Sequence, residues 1–319
     1  VTRFVLQRVG LGVLLMLAIS MLTFGAMNVL GDPLFNVLGP VALGTDAESL
    51  EKIAAAEAEF HLDDPLPVRY VKWLGGFVTG DFGVQFGSDG EPPVSDLIAE
   101  RLPRTLALVV MAQLMAVVMA IPWSLWSVSR VDEPVDRLST TTAFALIAIP
   151  NFALAVILRY VLSIRFEIFP LAFNAQDPVP TRLWQLVLPA FTIALPAAAV
   201  YQRLLRTDLI TTLQEDFILT ARSKGISKRD VLLKHALRPS LFSFITIFGI
   251  NTGALIGGAL IVEQIFIIPG IGSAIVEAVV RDDFPVVLAI VMIVTFGFIV
   301  LNLIVDVLYT VIDPRVRHS

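Results

Sequence analysis

The chain has 319 residues, of which 56% are apolar and 16% charged, with a mean hydropathy of +0.81 and a formal net charge of −5. That balance excludes an ordinary soluble domain and a disordered chain, and it places the protein among polytopic membrane proteins. The absence of cysteine excludes structural disulfides, thiolate metal sites and cysteine nucleophiles.

Six windows of 20 to 25 residues carry no charged side chain: 9–31, 105–129, 138–158, 183–202, 239–262 and 284–305. About 20 apolar residues cross the hydrocarbon core, and in lipid the backbone must satisfy its own hydrogen bonds, so each window predicts a transmembrane helix. The expected fold is all-α with six membrane spans. The first window is too long for the apolar stretch of a cleavable signal and reads as an anchor. Val1 reads as a translated GUG start codon.

Residues 32–104, between the first two spans, hold 13 acidic residues against five basic ones. The segment 203–238 holds eight basic residues, Arg203, Arg206, Arg222, Lys224, Lys228, Arg229, Lys234 and Arg238, against four acidic. Basic loops stay in the cytoplasm, which predicts 203–238 inside, 32–104 outside and both termini inside. The organisation is therefore an N-terminus and first span (1–31), an external segment (32–104) and a core of five spans (105–319) that includes the loop 203–238. Within the external segment a helix is expected over Glu48–Phe60, then a break at Asp63-Asp64-Pro65. A second helix is expected over Val68–Val78, with Tyr70, Trp73 and Phe77 near one face. Aromatic spacing of that kind suits either a helix in the membrane interface or a small cap packed on itself. Further along, single helices are expected through Pro122, through Pro150, and through Pro189 and Pro196. A connecting segment at 263–283 then leads to the last span, which ends at Asp306.

The inner loop carries its own helix signals. Residues 213–224 predict a helix with Glu215 and Asp216 near its start and Arg222 and Lys224 near its end, both favourable to the helix dipole. Gly225 stands where a C-terminal cap glycine belongs. Ser227 and Asp230 have the S-x-x-D spacing of a capping box opening a second helix at 228–237, and Pro239 resets the chain before the fifth span. Two capped helices around one glycine predict a rigid elbow rather than a slack loop.

Thr220-Ala221-Arg222-Ser223-Lys224-Gly225, followed by His235-Ala236-Leu237-Arg238-Pro239, resembles the cytoplasmic loop of ABC importer permeases, in the dipeptide and oligopeptide branch. Ala221 and Gly225 occupy the motif's alanine and glycine. Leu219 stands where the general motif has a glutamate, a departure shared by that branch. The order of further segments is similar too: 62–70, 80–83, 100–106, 262–266, 269–272, 281–285, 302–306 and 313–317. The resemblance covers nearly the whole chain and is weakest over 33–60. It implies the type I importer permease fold and a coupling helix that seats in an ATPase subunit. The residues so implicated are Glu215, Asp216, Phe217, Thr220, Ala221, Arg222, Lys224, Gly225 and His235. It further implies that the fifth span lines the translocation path, where Gly249, Gly253 and Gly257 form a smooth ridge beside Asn251.

The same resemblance implies a homologous second permease, two ATPase subunits or domains using ATP and Mg2+, an external solute-binding lipoprotein and a peptide substrate. Nickel chelates, glutathione and other small solutes are the alternative cargoes. The chain itself carries no expected catalytic residue, metal site, cofactor or nucleic-acid site. Gly75–Gly80 is followed by Asp81 and Phe82 rather than Lys-Ser/Thr and is rejected as a P-loop. His61, His235 and His318 lack the spacing of a metal site. An ion-coupled carrier and a non-transporting scaffold are the competing classes. The first is disfavoured by charge-free windows, since proton-driven carriers place ionisable groups at membrane depth. The second is disfavoured by helices interrupted by proline and glycine.

Overall fold

The computed structural model describes residues 2–30, 33–59, 63–86 and 92–312. The chain runs through α1 (Thr2–Leu30), α2 (Pro33–Leu38) with a 3-10 turn to Leu43, α3 (Ala47–Glu59), α4 (Leu66–Thr79), α5 (Val94–Val128), α6 (Pro134–Ala148) and α7 (Asn151–Leu158). A π turn at Arg159–Arg165 precedes α8 (Val179–Thr212), α9 (Asp216–Ser223) and α10 (Lys228–Asp230). A second π turn at Val231–Ala236 leads into α11 (Leu237–Phe266), followed by α12 (Ile271–Val280) and α13 (Phe284–Ile312). Five helices are long and apolar enough to cross a membrane, six if the α6–α7 pair counts as one span. The protein is a multi-pass, essentially all-helical membrane protein. An isolated antiparallel bridge between Val84 and Pro93 is the β pairing among the described residues.

Three features differ from the expectation. The third span is broken, with α6 and α7 meeting at 101°. Proline disfavours helical geometry in the residue before it, and Ile149 is extended (φ −76°, ψ 123°), so α7 restarts at Asn151 with Pro150 as its cap. The fourth span is longer than its charge-free window, because α8 continues to Thr212 and takes Arg203, Arg206 and Asp208 into the helix. Its prolines, Pro189 and Pro196, leave the helix continuous. The segment before the last span is not a plain connector but contains α12, whose first turn is closed by the Gly270 N–H donating to Ser273 Oγ at 3.0 Å.

The chain divides into two compact units. One comprises Thr105–Ile268 with the chain from Leu301, the other Thr2–Arg104 with Pro269–Val300. The first is built on small residues. Ala112, Ala116 and Ala120 repeat every fourth residue of α5 and are fully buried, as are Ala190, Ala194 and Ala199 of α8. Such stripes let helix backbones approach closely where lipid supplies no hydrophobic drive for helices to associate. Polar side chains then fasten the helices. Gln113 of α5 donates to Tyr201 Oη of α8 at 2.9 Å and to Thr252 Oγ1 of α11 at 3.1 Å. Asp136 of α6, 3% exposed, accepts from Arg206 Nε of α8 at 2.7 Å, from a second guanidinium nitrogen, and from Ser127 Oγ of α5. Arg206 is therefore tied up inside the fold and not offered by the inner loop. Arg203 lies over the Phe144 ring at 5.0 Å. The charge-free windows thus sit within helices that carry charges, Asp136 and Arg206 among them as a pair.

In the second unit, Tyr70 and Trp73 of α4 lie 5.5 Å from the Phe24 ring of α1, and Tyr70 Oη is 2.7 Å from Ser20 Oγ. The aromatic face of α4 is therefore packed on α1. Arg101 of α5 pairs with Glu277 of α12 at 3.1 Å, and Arg104 donates to the Pro269 carbonyl at 3.0 Å. Asp283 caps α13 and is 6% exposed, and burial pushes its carboxyl up to about 6.

Two outcomes are expected. Replacing Asp136 with Asn leaves Arg206 without its counter-charge and should cost about 3–5 kcal/mol, read as a large fall in Tm in mild detergent. For Asp283 the folded state holds its proton between the unfolded carboxylate value, about 4, and about 6. Stability should therefore rise as pH falls from 7 to 5, and Asp283→Asn should remove that slope from the melting profile.

Candidate coupling site

The inner loop begins where α8 ends. The Leu213 N–H donates to the Leu209 carbonyl at 2.9 Å, and Thr212 Oγ1 lies 3.1 Å from Ser240 Oγ, which ties the end of α8 to the first turn of α11. Gln214 and Glu215 then turn the chain, and Glu215 is extended (φ −71°, ψ 149°) as the residue preceding α9. The helix thus starts at Asp216, three residues later than the run 213–224 predicts, because 213–215 serve to leave α8. Asp216 in the first turn and Arg222 in the last oppose the partial charges of the helix ends.

The two faces of α9 do different work. Ile218 and Ala221, three residues apart, are buried and join Val231 and Ala236 in the core of the first unit. The opposite face carries Leu219, 53% exposed, with Asp216 and Thr220 beside it, and Phe217, 47% exposed, stands on the flank between the two faces, with Arg222 and Lys224 also exposed. Apolar side chains ringed by charges are what a partner groove recognises, with the apolar pair supplying affinity and the charges orientation. Leu219, which departs from the general motif, stands on this outer face.

The turn after α9 is a Schellman motif. The Gly225 N–H donates to the Arg222 carbonyl at 2.9 Å and the Ile226 N–H to the Ala221 carbonyl at 3.3 Å, with Gly225 at φ +76°. Ser227 caps the second arm, accepting from the Asp230 N–H at 3.1 Å while its hydroxyl donates to Asp230 Oδ2 at 2.9 Å. Lys234 pairs with Asp230 at 2.7 Å, one turn on. The second arm runs into α11 without a stop at Pro239. The wide turn at 231–236, where the Leu237 N–H reaches the Leu232 carbonyl, accommodates the proline whose ring would crowd a regular α turn. His235, half-buried, sits in that wide turn, and the two arms pack against each other.

The structure brings Glu215, Asp216, Phe217, Thr220, Ala221, Arg222, Lys224, Gly225 and His235 into one elbow, with Ala221 on its buried side. Ile218, the principal buried anchor, was legible only as an apolar residue three before Ala221. The residues assigned to the translocation path lie further along α11 and differ among themselves. Gly249 is buried, and a Cβ there would come within 2.4 Å of Val305 of α13, so its missing side chain is a packing requirement. Asn251 and Gly253 are half-buried, and Gly257 is exposed with open space beside it. Among the described residues no cluster of His, Asp and Glu could hold a metal ion. His61, His318, the tail 313–319 and the side chain of Asp306 lie outside the described residues.

Residues 112–318 match the family model described as binding-protein-dependent transport system inner membrane component, and residues 1–109 match its N-terminal companion. The chain is similar to the oligopeptide transport system permease protein AppB of Bacillus subtilis, 37% identical over 99% of both chains. It is 35% identical to a putative peptide transport system permease protein of Brucella abortus over the full length of both. Its identity to the glutathione transport system permease protein GsiC of Escherichia coli is also 35%, over 94% of each.

Replacing Gly225 with Val puts a β-branched residue at a positive φ and should destabilise the elbow by about 1–3 kcal/mol. No neighbour blocks a Cβ there, so the loss is conformational. It should be read as faster proteolytic cutting within 213–236, with the melting of the rest unchanged.

Proposed function

Because the chain belongs to the family of binding-protein-dependent transport inner membrane components, we propose that it is the permease subunit of an ATP-driven importer and forms half of the translocation path for peptides. The observation that carries this reading is the two-faced α9. One face is locked into the core by Ile218 and Ala221, while Leu219 on the other face and Phe217 on the flank are exposed to a partner. A helix so held transmits a push, whereas a slack loop would absorb it.

The partners follow from that role. Two ATPase subunits or domains supply ATP and Mg2+ chemistry and receive α9, a homologous second permease completes the path, and an external solute-binding lipoprotein delivers cargo. With the basic loop inside, both termini are cytoplasmic and 32–104 is external. ATP binding closes the ATPase pair, the elbow carries the movement to α8 and α11, and the cavity opens outward. Hydrolysis and release reset it. This subunit performs no chemistry of its own.

Peptide cargo is supported by the two peptide permeases to which the chain is similar over its whole length. Glutathione transport is the second reading, supported by the likeness to GsiC. Both are ATP-driven. An ion-coupled carrier would instead transport when reconstituted alone under an ion gradient.

The test is uptake into proteoliposomes holding the chain with its co-purified subunits. Phe217→Ala removes an exposed side chain, so the fold should be unaffected. Association with the ATPase should weaken by about tenfold or more and ATP-driven peptide uptake should fall in parallel. Gly225→Val should insert normally yet leave ATP hydrolysis running without uptake. Uptake by the chain alone, driven by an ion gradient and indifferent to both substitutions, would overturn the reading.

A further inference from the structure

The second unit contains a cavity of about 280 Å³ that the transport reading does not use. Its walls are Phe24, Met27 and Asn28 of α1, Arg69, Lys72 and Trp73 of α4, the turn at 81–86, and Phe284, Pro285 and Leu288 of α13. The position is informative. The α1 residues occupy the last turns of the span Leu6–Val29, and the α13 residues open the span Phe284–Val305. The cavity therefore stands at the end of two membrane spans, at the depth of lipid headgroups.

Its polar groups are unevenly satisfied. Lys72 is neutralised by Asp64 at 2.6 Å, and Asp81 accepts from the Gly83 N–H at 3.0 Å within its own turn. Arg69 is half-buried and makes no hydrogen bond from its guanidinium among the described residues; burial lowers its proton affinity, and the charge of Asp64 partly restores it. Asn28 spends its amide N–H on the Phe24 carbonyl at 2.8 Å, and its Oδ1 is buried with no partner. The half-buried guanidinium has donors to spare, and the buried Asn28 Oδ1, set among aromatic rings, is costly without a partner. They call for an anion that also carries an N–H or O–H donor and is attached to an apolar body.

We propose that this cavity binds the headgroup of a glycerophospholipid. The phosphodiester sits on Arg69, and a headgroup donor, a glycerol hydroxyl or an ethanolamine ammonium, bonds Asn28 Oδ1. The volume suits a headgroup and not a whole lipid, so the acyl chains lie outside, along α1. That helix leaves Met21, Leu22 and Val29 between 62% and 83% exposed. A soluble peptide carboxylate would satisfy Arg69 as well, but it would gain nothing from an aromatic wall opening at the end of a lipid-facing helix. The consequence is a lipid that cements α4 to α1 and α13.

The experiment is native mass spectrometry of the delipidated full chain, purified with its partner subunits and titrated with dioctanoyl-phosphatidylglycerol. One lipid should be retained, and Arg69→Gln should weaken it by about tenfold or more, the scale of a hydrogen bond to a charged group. Arg69→Lys should keep part of the affinity, and Asn28→Leu should weaken binding while leaving Arg69 intact. Dioctanoylglycerol, which lacks the phosphate, and inorganic phosphate, which lacks the chains, should each bind at least about tenfold less tightly. Equal retention by the parent, Arg69→Gln and Asn28→Leu chains would overturn the proposal. So would displacement of the lipid by inorganic phosphate or a tripeptide at equal concentration.

Discussion

The pair between Asp136 and Arg206 is the constraint on which the larger unit depends. Each is one residue on a different helix, and Ser127 brings in a third. A carboxylate at 3% exposure is tolerable only with a counter-charge and hydrogen bonds on both oxygens, and the planar guanidinium provides two parallel donors. The pair sets the register of α6 against α8, and α8 in turn packs most extensively on α11. Around it Trp123 donates to Ser139 Oγ at 2.7 Å and Ser124 donates to the Gln202 carbonyl at 3.1 Å, two further bonds across the same helices.

The elbow inherits its rigidity from this arrangement. Arg206 lies less than two turns before α8 ends at Thr212, and Thr212 is fastened to Ser240. The two ends of the inner loop are thus held, and the loop between them is closed by the Schellman turn at Gly225 and the cap at Ser227. Ile218 and Ala221 then dock α9 inward, with Leu219 turned outward and Phe217 exposed at the flank. Leu219 takes that direction because it lies across the helix from the anchored pair, and Phe217 is exposed on the flank beside it.

The paired charges also bear on how the protein is driven. A proton relay needs ionisable groups that exchange partners, whereas Asp136 and Arg206 are closed on each other with two guanidinium bonds. Glu263, fully buried, accepts from Thr105 Oγ1. These groups staple helices together. Held in this way, the helices of the first unit are cross-braced by polar contacts.

The helical class, the membrane spans and the elbow were legible in the sequence because each rests on local physics. Twenty uncharged residues in a row admit little but a spanning helix, a glycine after an amphipathic run admits a left-handed cap, and Ser227 with Asp230 caps by adjacency alone. Peptide-permease kinship was legible for a similar reason, in short motifs at fixed order. What only the tertiary structure decided involves residues distant in the chain. Arg206 looked like one more cation of the inner loop until a carboxylate 70 positions earlier claimed it. Gly249 looked like one rung of a smooth ridge until Val305 filled the space beside it. The break at Pro150, the aromatic face of α4 and the cavity around Arg69 belong to the same class. A charge or a glycine announces a need for a partner or for space, and only the packed chain brings the distant residue that meets it.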